Sequence, residues 1–554
     1  MSDADESPCR VCGKVDQEEF LVLCDGCDAP FHTFCHHGCI CCQQKPRNNF
    51  NKSFAVPEGD WFCKLCAGRV PALKPKQSPL SSVFAWGDNE EGQLGIGADT
   101  AIVMAPTAVS DLGGISVRDI AVGESFSIVL SNEGQVYTTG TGTSGQLGHQ
   151  DMVHEKLARF RKIEGLDKRP ANEGRLERVL AGREFAALLS QNGHMYTWGN
   201  GESGQLGHQE NKHKKTPKKI SALREQELPV VLAAAGSDFV VMTSGLAKED
   251  DYFHRALPGV LMTMGANIQG QLGDSTMRNQ WVPQLLNAQG PATTSVDGCK
   301  EDEPTTCLLG RDVRALATGA AHTIALVTGY DLLSGFLRMT GSCRTLGAWS
   351  WGLGEGGQLG HPKPPVPPNA SKFFRQTFRV PRPRFIQALH NVNVMQVACG
   401  VSHSLFLTNE RHVFGCGSNT HGQLLGEEAP GGDEVSVVEE PKDLGWTPPP
   451  ASGGVRIIGA GDHHSLALTM DGIVFTWGRN DKGQLGHSPD AKTVGVPTKV
   501  DGLPCVESIH TAYNSTFAVE FAKAVAGPKV GKTAAAKKSK GKAAKAPAAK
   551  RAKK

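Results

Sequence analysis

VFTWGRNDKGQLG, residues 474–486, sets a short apolar run ending in Trp-Gly against a polar turn that closes on Gly-Gln-Leu-Gly. The phrase also reads VFAWGDNEEGQLG (83–95), VYTTGTGTSGQLG (136–148), MYTWGNGESGQLG (195–207) and LMTMGANIQGQLG (261–273). It returns as SWGLGEGGQLG (350–360) and VFGCGSNTHGQLLG (413–426), which makes seven copies, 53 to 87 residues apart. A second phrase precedes copies two to seven and ends the array. Its forms include VLAGREFAALLS (179–190), LATGAAHTIALV (316–327), VACGVSHSLFLT (397–408) and IGAGDHHSLALT (458–469). Long periods rich in Gly and in short apolar runs point to radial repetition. Each phrase reads as two or three short strands bounded by Gly, so each repeat supplies a four-stranded blade. Trp or aliphatic positions fill the gaps between blades. The expected fold is mostly β, a seven-bladed β-propeller. The array opens with the outer half of a blade and ends with an inner half, CVESIHTAYNSTFAVE (505–520). The two ends are therefore expected to share one blade, a clasp that removes free sheet edges.

The totals hide two asymmetries. At 554 residues the chain is too long for one ordinary core. Ten of its 16 cysteines lie between Cys9 and Cys66. From Phe521 to Lys554 there are twelve Lys or Arg and no acid, and setting them aside leaves 46 basic residues against 56 acidic, a net of −10. The chain is an acidic body with a basic tail. No uninterrupted apolar stretch is long enough to span a bilayer and no secretory signal opens the chain, so a cytosolic or nuclear protein without a membrane partner is expected.

The cysteines fall in pairs: Cys9-x2-Cys12, Cys24-x2-Cys27, His32-x2-Cys35 and Cys63-x2-Cys66. Two thiolates on one tight knuckle can reach a single tetrahedral zinc at about 2.3 Å. Disulfides suit an intracellular chain poorly, and a thioredoxin-like site needs one such motif, not four pairs in succession. Eight ligands imply two Zn2+ ions. In an interleaved arrangement Cys9, Cys12, His32 and Cys35 share one, while Cys24, Cys27, Cys63 and Cys66 share the other. Cys39, Cys41 and Cys42 are either spare thiols on an inserted loop or part of a third, incomplete site.

With its single His fifth in the ligand order, LVLCDGCDAPFHTFC followed by PEGDWFCKLC resembles a plant homeodomain (PHD) finger over residues 9 to 66. The resemblance implies a histone-tail binder. A trimethyl-lysine reader needs an aromatic cage, yet Phe20 is the only aromatic between Cys12 and Cys24. Asp16, Glu18 and Glu19 suit an unmodified cationic tail. By resemblance Asp25 and Asp28 extend that acidic lip, and backbone around Gly59 accepts the tail's free amine. The expected ligand is the unmodified histone-three tail.

Seven copies of GQLG with the A-G-x-x-H-S/T phrase resemble the regulator of chromosome condensation family, whose founding member is an exchange factor for the small GTPase Ran. The resemblance implies Ran as a partner and places Asp238, in AAAGSDFVVM, on an acidic position important for exchange. Glu184 holds the same place one blade earlier, while Glu124 and Asp462 sit one position closer to their Gly. The family's wedge hairpin is missing, since MYTWGNGESGQLGHQENKHKK is a plain repeat. Two readings stay open: Ran exchange on chromatin, or a non-catalytic scaffold holding another protein. Neither a nucleophile elbow nor a P-loop nor a dinucleotide fingerprint points to covalent catalysis. His322, His403 and His464 read as buried structural residues, replaced by Phe126, Phe185 and Phe239 in earlier blades.

The end, KVGKTAAAKKSKGKAAKAPAAKRAKK, holds hardly any large apolar residue and is expected to be disordered alone. Lys537, Lys538, Lys540, Lys542, Lys545, Lys550, Arg551, Lys553 and Lys554 suit neutralisation of DNA phosphates by counterion release and read as nuclear import signals. The expected organisation is a disordered start (1–8), finger (9–67), linker (68–80), propeller (81–521) and tail (522–554). The chain reads as a nuclear, chromatin-bound protein contacting nucleosomes and DNA.

Overall fold

The computed structural model describes residues 21–23, 30–32, 82–151, 156–226, 228–244, 260–286, 308, 312–328, 345–365, 378–425, 436–487 and 492–521. Two compact units divide between Ser78 and Pro79. In the first, β1 (Leu21–Leu23) pairs antiparallel with β2 (Pro30–His32), Leu21 opposite His32.

The second unit is a seven-bladed propeller of four-stranded antiparallel sheets. It begins with β3 (Val83–Asp88) and β4 (Ile102–Ala108). The next blade is β5 (Val117–Val122), β6 (Phe126–Ser131), β7 (Val136–Thr141) and β8 (Lys156–Lys162). Then come β9 (Leu176–Ala181), β10 (Phe185–Ser190), β11 (Met195–Gly199) and β12 (Lys214–Lys219). They are followed by β13 (Val230–Ala235), β14 (Phe239–Ser244), β15 (Val260–Gly265) and β16 (Gln280–Leu285). A further blade holds β17 (Asp312–Thr318), β18 (His322–Thr328), β19 (Thr345–Leu353) and β20 (Arg379–Phe385). The fifth complete blade along the chain is β21 (Val394–Cys399), β22 (His403–Thr408), β23 (Val413–Ser418) and β24 (Val437–Asp443). The last full blade is β25 (Val455–Ala460), β26 (His464–Thr469), β27 (Val474–Arg479) and β28 (Thr493–Lys499). Finally β29 (Val506–Ala512) and β30 (Ser515–Glu520) complete the first sheet in the order β29-β30-β3-β4. The ends of the array do share one blade.

GQLG is the joint between blades. Its Gln side chain turns back to accept a backbone N–H two residues earlier, as Gln146 Oε1 does from Ser144 at 2.9 Å. Its backbone carbonyl then receives the indole of the following blade: Trp86 Nε1 donates to Gln484 O at 3.1 Å, and Trp198, Trp351 and Trp477 to Gln146, Gln271 and Gln423, each at 2.9 Å. All four indoles are fully buried, so each contributes area removed from water at roughly 25 cal/mol per Å² and keeps its N–H satisfied. Where the chain has Thr139, Met264 or Cys416 instead, smaller groups fill the same seam.

The A-G-x-x-H phrase makes a second joint. His322 Nε2 lies 3.0 Å from Ser404 Oγ of the next blade, His403 Nε2 3.0 Å from Ser465 Oγ, and His464 Nε2 3.2 Å from Thr511 Oγ1. Ser404 and Ser465 already donate to Gln358 O and Gln423 O at 2.8 Å, so their oxygens accept from Nε2–H and each imidazole is the Nε2 tautomer. Their Nδ1 atoms are buried without a partner. Burial drives all three down to about 3. The unfolded chain titrates near the ordinary 6.5, so this stability is fully present above about pH 6.5 and is lost as pH falls toward 3, by about 1.4 kcal/mol per histidine per pH unit. Asp462, pushed up to about 6 by its burial and by Glu124, acts oppositely over part of that window. Urea midpoints should therefore drop steeply between pH 6.5 and 4.5. His322→Phe, which copies Phe126, should remove about one histidine's share of the slope; an unchanged slope contradicts the assignment.

Candidate functional site

Seven short loops join the first and second strands of the blades and meet at one end of the central opening. They are Gly123–Ser125, Gly182–Glu184, Gly236–Asp238, Gly319–Ala321, Gly400–Ser402, Gly461–His463 and the two-residue Tyr513–Asn514. Each opening Gly is required by closeness: a Cβ on Gly182 would meet the Phe185 ring and lie 2.7 Å from Gly236 O in the next loop. Backbone bonds lace the loops together, Arg183 N to Ser237 O at 2.8 Å and Asp462 N to Tyr513 O at 2.8 Å.

The charged side chains of this mouth form one constellation. Arg183 Nη2 lies 3.0 Å from Asp238 Oδ2. Gln205 Nε2 reaches Asp238 Oδ1 at 3.5 Å. Glu184 Oε2 accepts from Asn200 Nδ2 at 2.9 Å and from Ser144 Oγ at 3.3 Å. The Asp238 side chain is only 21% exposed. Burial raises its pKa, Arg183 opposes that, and Glu184 and Glu202 reinforce it. Glu124 is raised by burial too, again partly offset by Arg183. The Tyr513 phenol is pushed up by burial and is influenced by Asp462, Glu124 and Asp238 together. Its backbone is left-handed, φ 51°, which turns the shortest of the seven loops.

Asp238, Glu124 and Asp462 therefore resist ionisation; the first two face the Arg183 guanidinium and all three act on the Tyr513 phenol. A carboxylate of this kind gains most when a cationic or hydrogen-bonding partner replaces the missing solvation. Such an arrangement can recognise a cationic or hydrogen-bonding surface. Among the described residues no group of three or more His, Cys, Asp and Glu is placed to hold a metal.

Sequence reasoning reached Asp238, Glu184, Glu124 and Asp462. It missed Arg183 and Tyr513, although each stands in a first-to-second-strand loop of its blade. The connection from β11 to β12, residues 200–213, carries no strand, so no wedge hairpin projects there. His322, His403 and His464 are core residues, as expected.

His32 ends β2. Cys9, Cys12, Cys24, Cys27, Cys35, Cys63 and Cys66 lie outside the described residues, as do Asp16, Glu18, Glu19, Asp25, Asp28, Gly59 and the tail from residue 522. A donor set of seven cysteines and one histidine in knuckle spacing fits zinc.

Comparison with known proteins agrees with both units. Models of the regulator of chromosome condensation (RCC1) repeat match residues 81–130, 192–243, 347–407 and 471–519, with a second form at 117–146, 394–423 and 455–484. The PHD-finger model matches residues 9–66. The E3 ubiquitin-protein ligase HERC2 of Homo sapiens is 27% identical over 73% of this chain, which spans 7% of that protein. The secretion-regulating guanine nucleotide exchange factor of Mus musculus is 26% identical, covering 77% of this chain and 80% of its own length. The solved structure of Prp20p from Saccharomyces cerevisiae, characterised for binding to Gsp1p and histones, matches with TM-score 0.60 and 21% identity. It covers 81% of this chain and 93% of that one, a likeness of fold.

Proposed function

The chain belongs to the RCC1 repeat family and carries a PHD finger, and from that premise we propose that it is a nuclear, chromatin-associated regulator. The finger, loaded with two zinc ions, binds the unmodified histone-three tail through the acids Asp16, Glu18, Glu19, Asp25 and Asp28. The Lys-rich tail holds DNA. The propeller mouth engages the small GTPase Ran, with Asp238 on the contact face, and localises nucleotide exchange on chromatin. What carries this reading is the joining of a histone-reader module to an RCC1 propeller whose mouth sets Asp238 against Arg183 at 3.0 Å. Two relatives support it: one is a guanine nucleotide exchange factor, and Prp20p binds Gsp1p and histones.

A second reading is favoured by the plain β11–β12 connection, which offers no wedge to displace nucleotide. In that reading the mouth only holds a partner, and the protein is a scaffold. Exchange works by stabilising the nucleotide-free state, so the two separate cleanly. Release of a fluorescent guanine nucleotide from Ran should be accelerated by the full chain and slowed at least tenfold by Asp238→Ala. Release at the spontaneous rate removes exchange and leaves the scaffold.

A further inference from the structure

The outermost strand of each blade allows a comparison within one molecule. β8 carries Lys156, Arg159, Arg161 and Lys162, and β12 carries Lys214, Lys215, Lys218 and Lys219, neither with an acid. β16 is uncharged and β20 carries Arg379, Arg382 and Arg384. Further round the ring the sign changes. β24 sets Glu439, Glu440 and Asp443 against Lys442, β28 has only Lys499, and β4 has no charge. All seven strands pair antiparallel at the outer edge of a four-stranded sheet whatever their charge, so the fold does not demand this segregation. It also stands against the chain's own field, because the body without its tail is acidic.

Some of the charge is neutralised locally. Arg159 pairs with Asp111 at 2.9 Å, Arg161 with Asp151 at 2.7 Å and Lys219 with Glu173 at 2.9 Å, while Glu210 faces both Lys214 and Lys218. Lys162, Lys212 and Lys215 have no acidic partner among the described residues; Lys212 and Lys215 are exposed and Lys162 is half-buried. The two strands are neighbours: a Cβ on Gly145, in the turn from β7 to β8, would lie 2.9 Å from Lys215 Cα and Lys214 O. Next along the rim, Trp281 on β16 is 40% exposed, and its carbonyl accepts from Gln209 N at 3.0 Å.

We propose that this basic sector of the rim, centred on β8 and β12, binds the phosphate backbone of duplex nucleic acid. The unpaired groups are lysines, compact hydrated charges that ask little of an anion's geometry. They spread along a convex edge over two blades, which suits a long polyanion carrying one charge per about 1.7 Å of axis and does not suit a small anion. An exposed Trp beside them adds a flat apolar face. The sector lies on the folded ring, so the inference goes beyond a DNA contact made by the tail alone.

The test uses the full chain and a mixed-sequence 30-base-pair duplex, followed by fluorescence anisotropy over a salt series. Neutralising Lys162, Lys212 and Lys215 together to Gln should lower the slope of log K against log salt by about 2 to 3, at ~0.9 per phosphate contact. The same fall should appear when the tail lysines from Lys537 to Lys554 are also Gln, which separates this surface from the proposed tail contact. A control triple on the other side, Lys442, Lys492 and Lys499 to Gln, should change the slope by less than 1. Three results overturn the proposal: no change with the first triple, an equal fall with both, or retained DNA affinity with lost binding to poly-L-glutamate. The last would make an acidic protein the partner.

Discussion

Exhaustive chelation of the full chain should abolish its binding to an unmodified histone-three peptide while the propeller's unfolding transition stays where it was. A unit of about sixty residues is marginal when stabilised by burial alone. In such modules the metal's binding free energy, apparent values of ~10–16 kcal/mol, is the folding free energy. The four knuckles span the whole finger from Cys9 to Cys66, so in the interleaved assignment losing either ion frees one end of it together with part of the middle. The propeller is held by its buried seams, and among its described residues no group of three or more His, Cys, Asp and Glu is placed to hold a metal. Calorimetry should show peptide heat falling to the level of dilution after chelation and returning with zinc. Elemental analysis should find two zinc ions per chain. Undiminished peptide affinity in metal-free protein, or a single ion per chain, would contradict the ligand assignment.

The ring was legible because its joints are spelled in short fixed phrases. GQLG encodes a turn and a carbonyl aimed at the neighbouring blade, with a Gly under the neighbour's indole where that blade has a Trp, and the turn repeats seven times with little freedom. The shared blade could be read from which half-phrase stands at each end. The mouth was legible only in part. Its acids stand out as charges beside a recurrent Gly, but Arg183 pairs with Asp238 across a blade boundary, and no spacing within one repeat announces a contact between two. Tyr513 was hidden for another reason. Its loop has two residues where the others have three, so alignment of the phrases slides past it. The rim charge is written in LARFRKIEGLDKRP (157–170) only as composition, and it takes the close approach of the β7–β8 turn to Lys214 and Lys215 to show that β8 and β12 are adjacent edges of one surface.

The clasp is where a single methyl group should do most damage. Gly87 has φ +108° and pairs with Ser515. A Cβ there would overlap the Asn514 carbonyl oxygen and sit 3.2 Å from Ser515 Cα, all backbone of the β29–β30 hairpin. Asp88 N donates to the same Asn514 O at 2.9 Å, and Ser515 Oγ donates to Asp88 O at 3.1 Å, so the obstructed atoms are those that hold the seam. The left-handed conformation alone costs Ala ~1–2 kcal/mol, and the overlap adds to it. In the other blades the equivalent glycine meets a hairpin on its own continuous stretch of chain; Gly478, φ +109°, faces His463 O at 2.6 Å. There the strain can relax while the ring stays closed. At Gly87 the two strands come from opposite ends of the propeller, so the easiest relaxation parts β3 from β30 and exposes two sheet edges and Trp86. Gly87→Ala should therefore lower stability by at least ~4 kcal/mol and open residues 83–108 to limited proteolysis under native conditions. Gly478→Ala should be destabilised without that cleavage. Equal proteolytic resistance in the two variants would mean that the seam is no weaker than an ordinary blade.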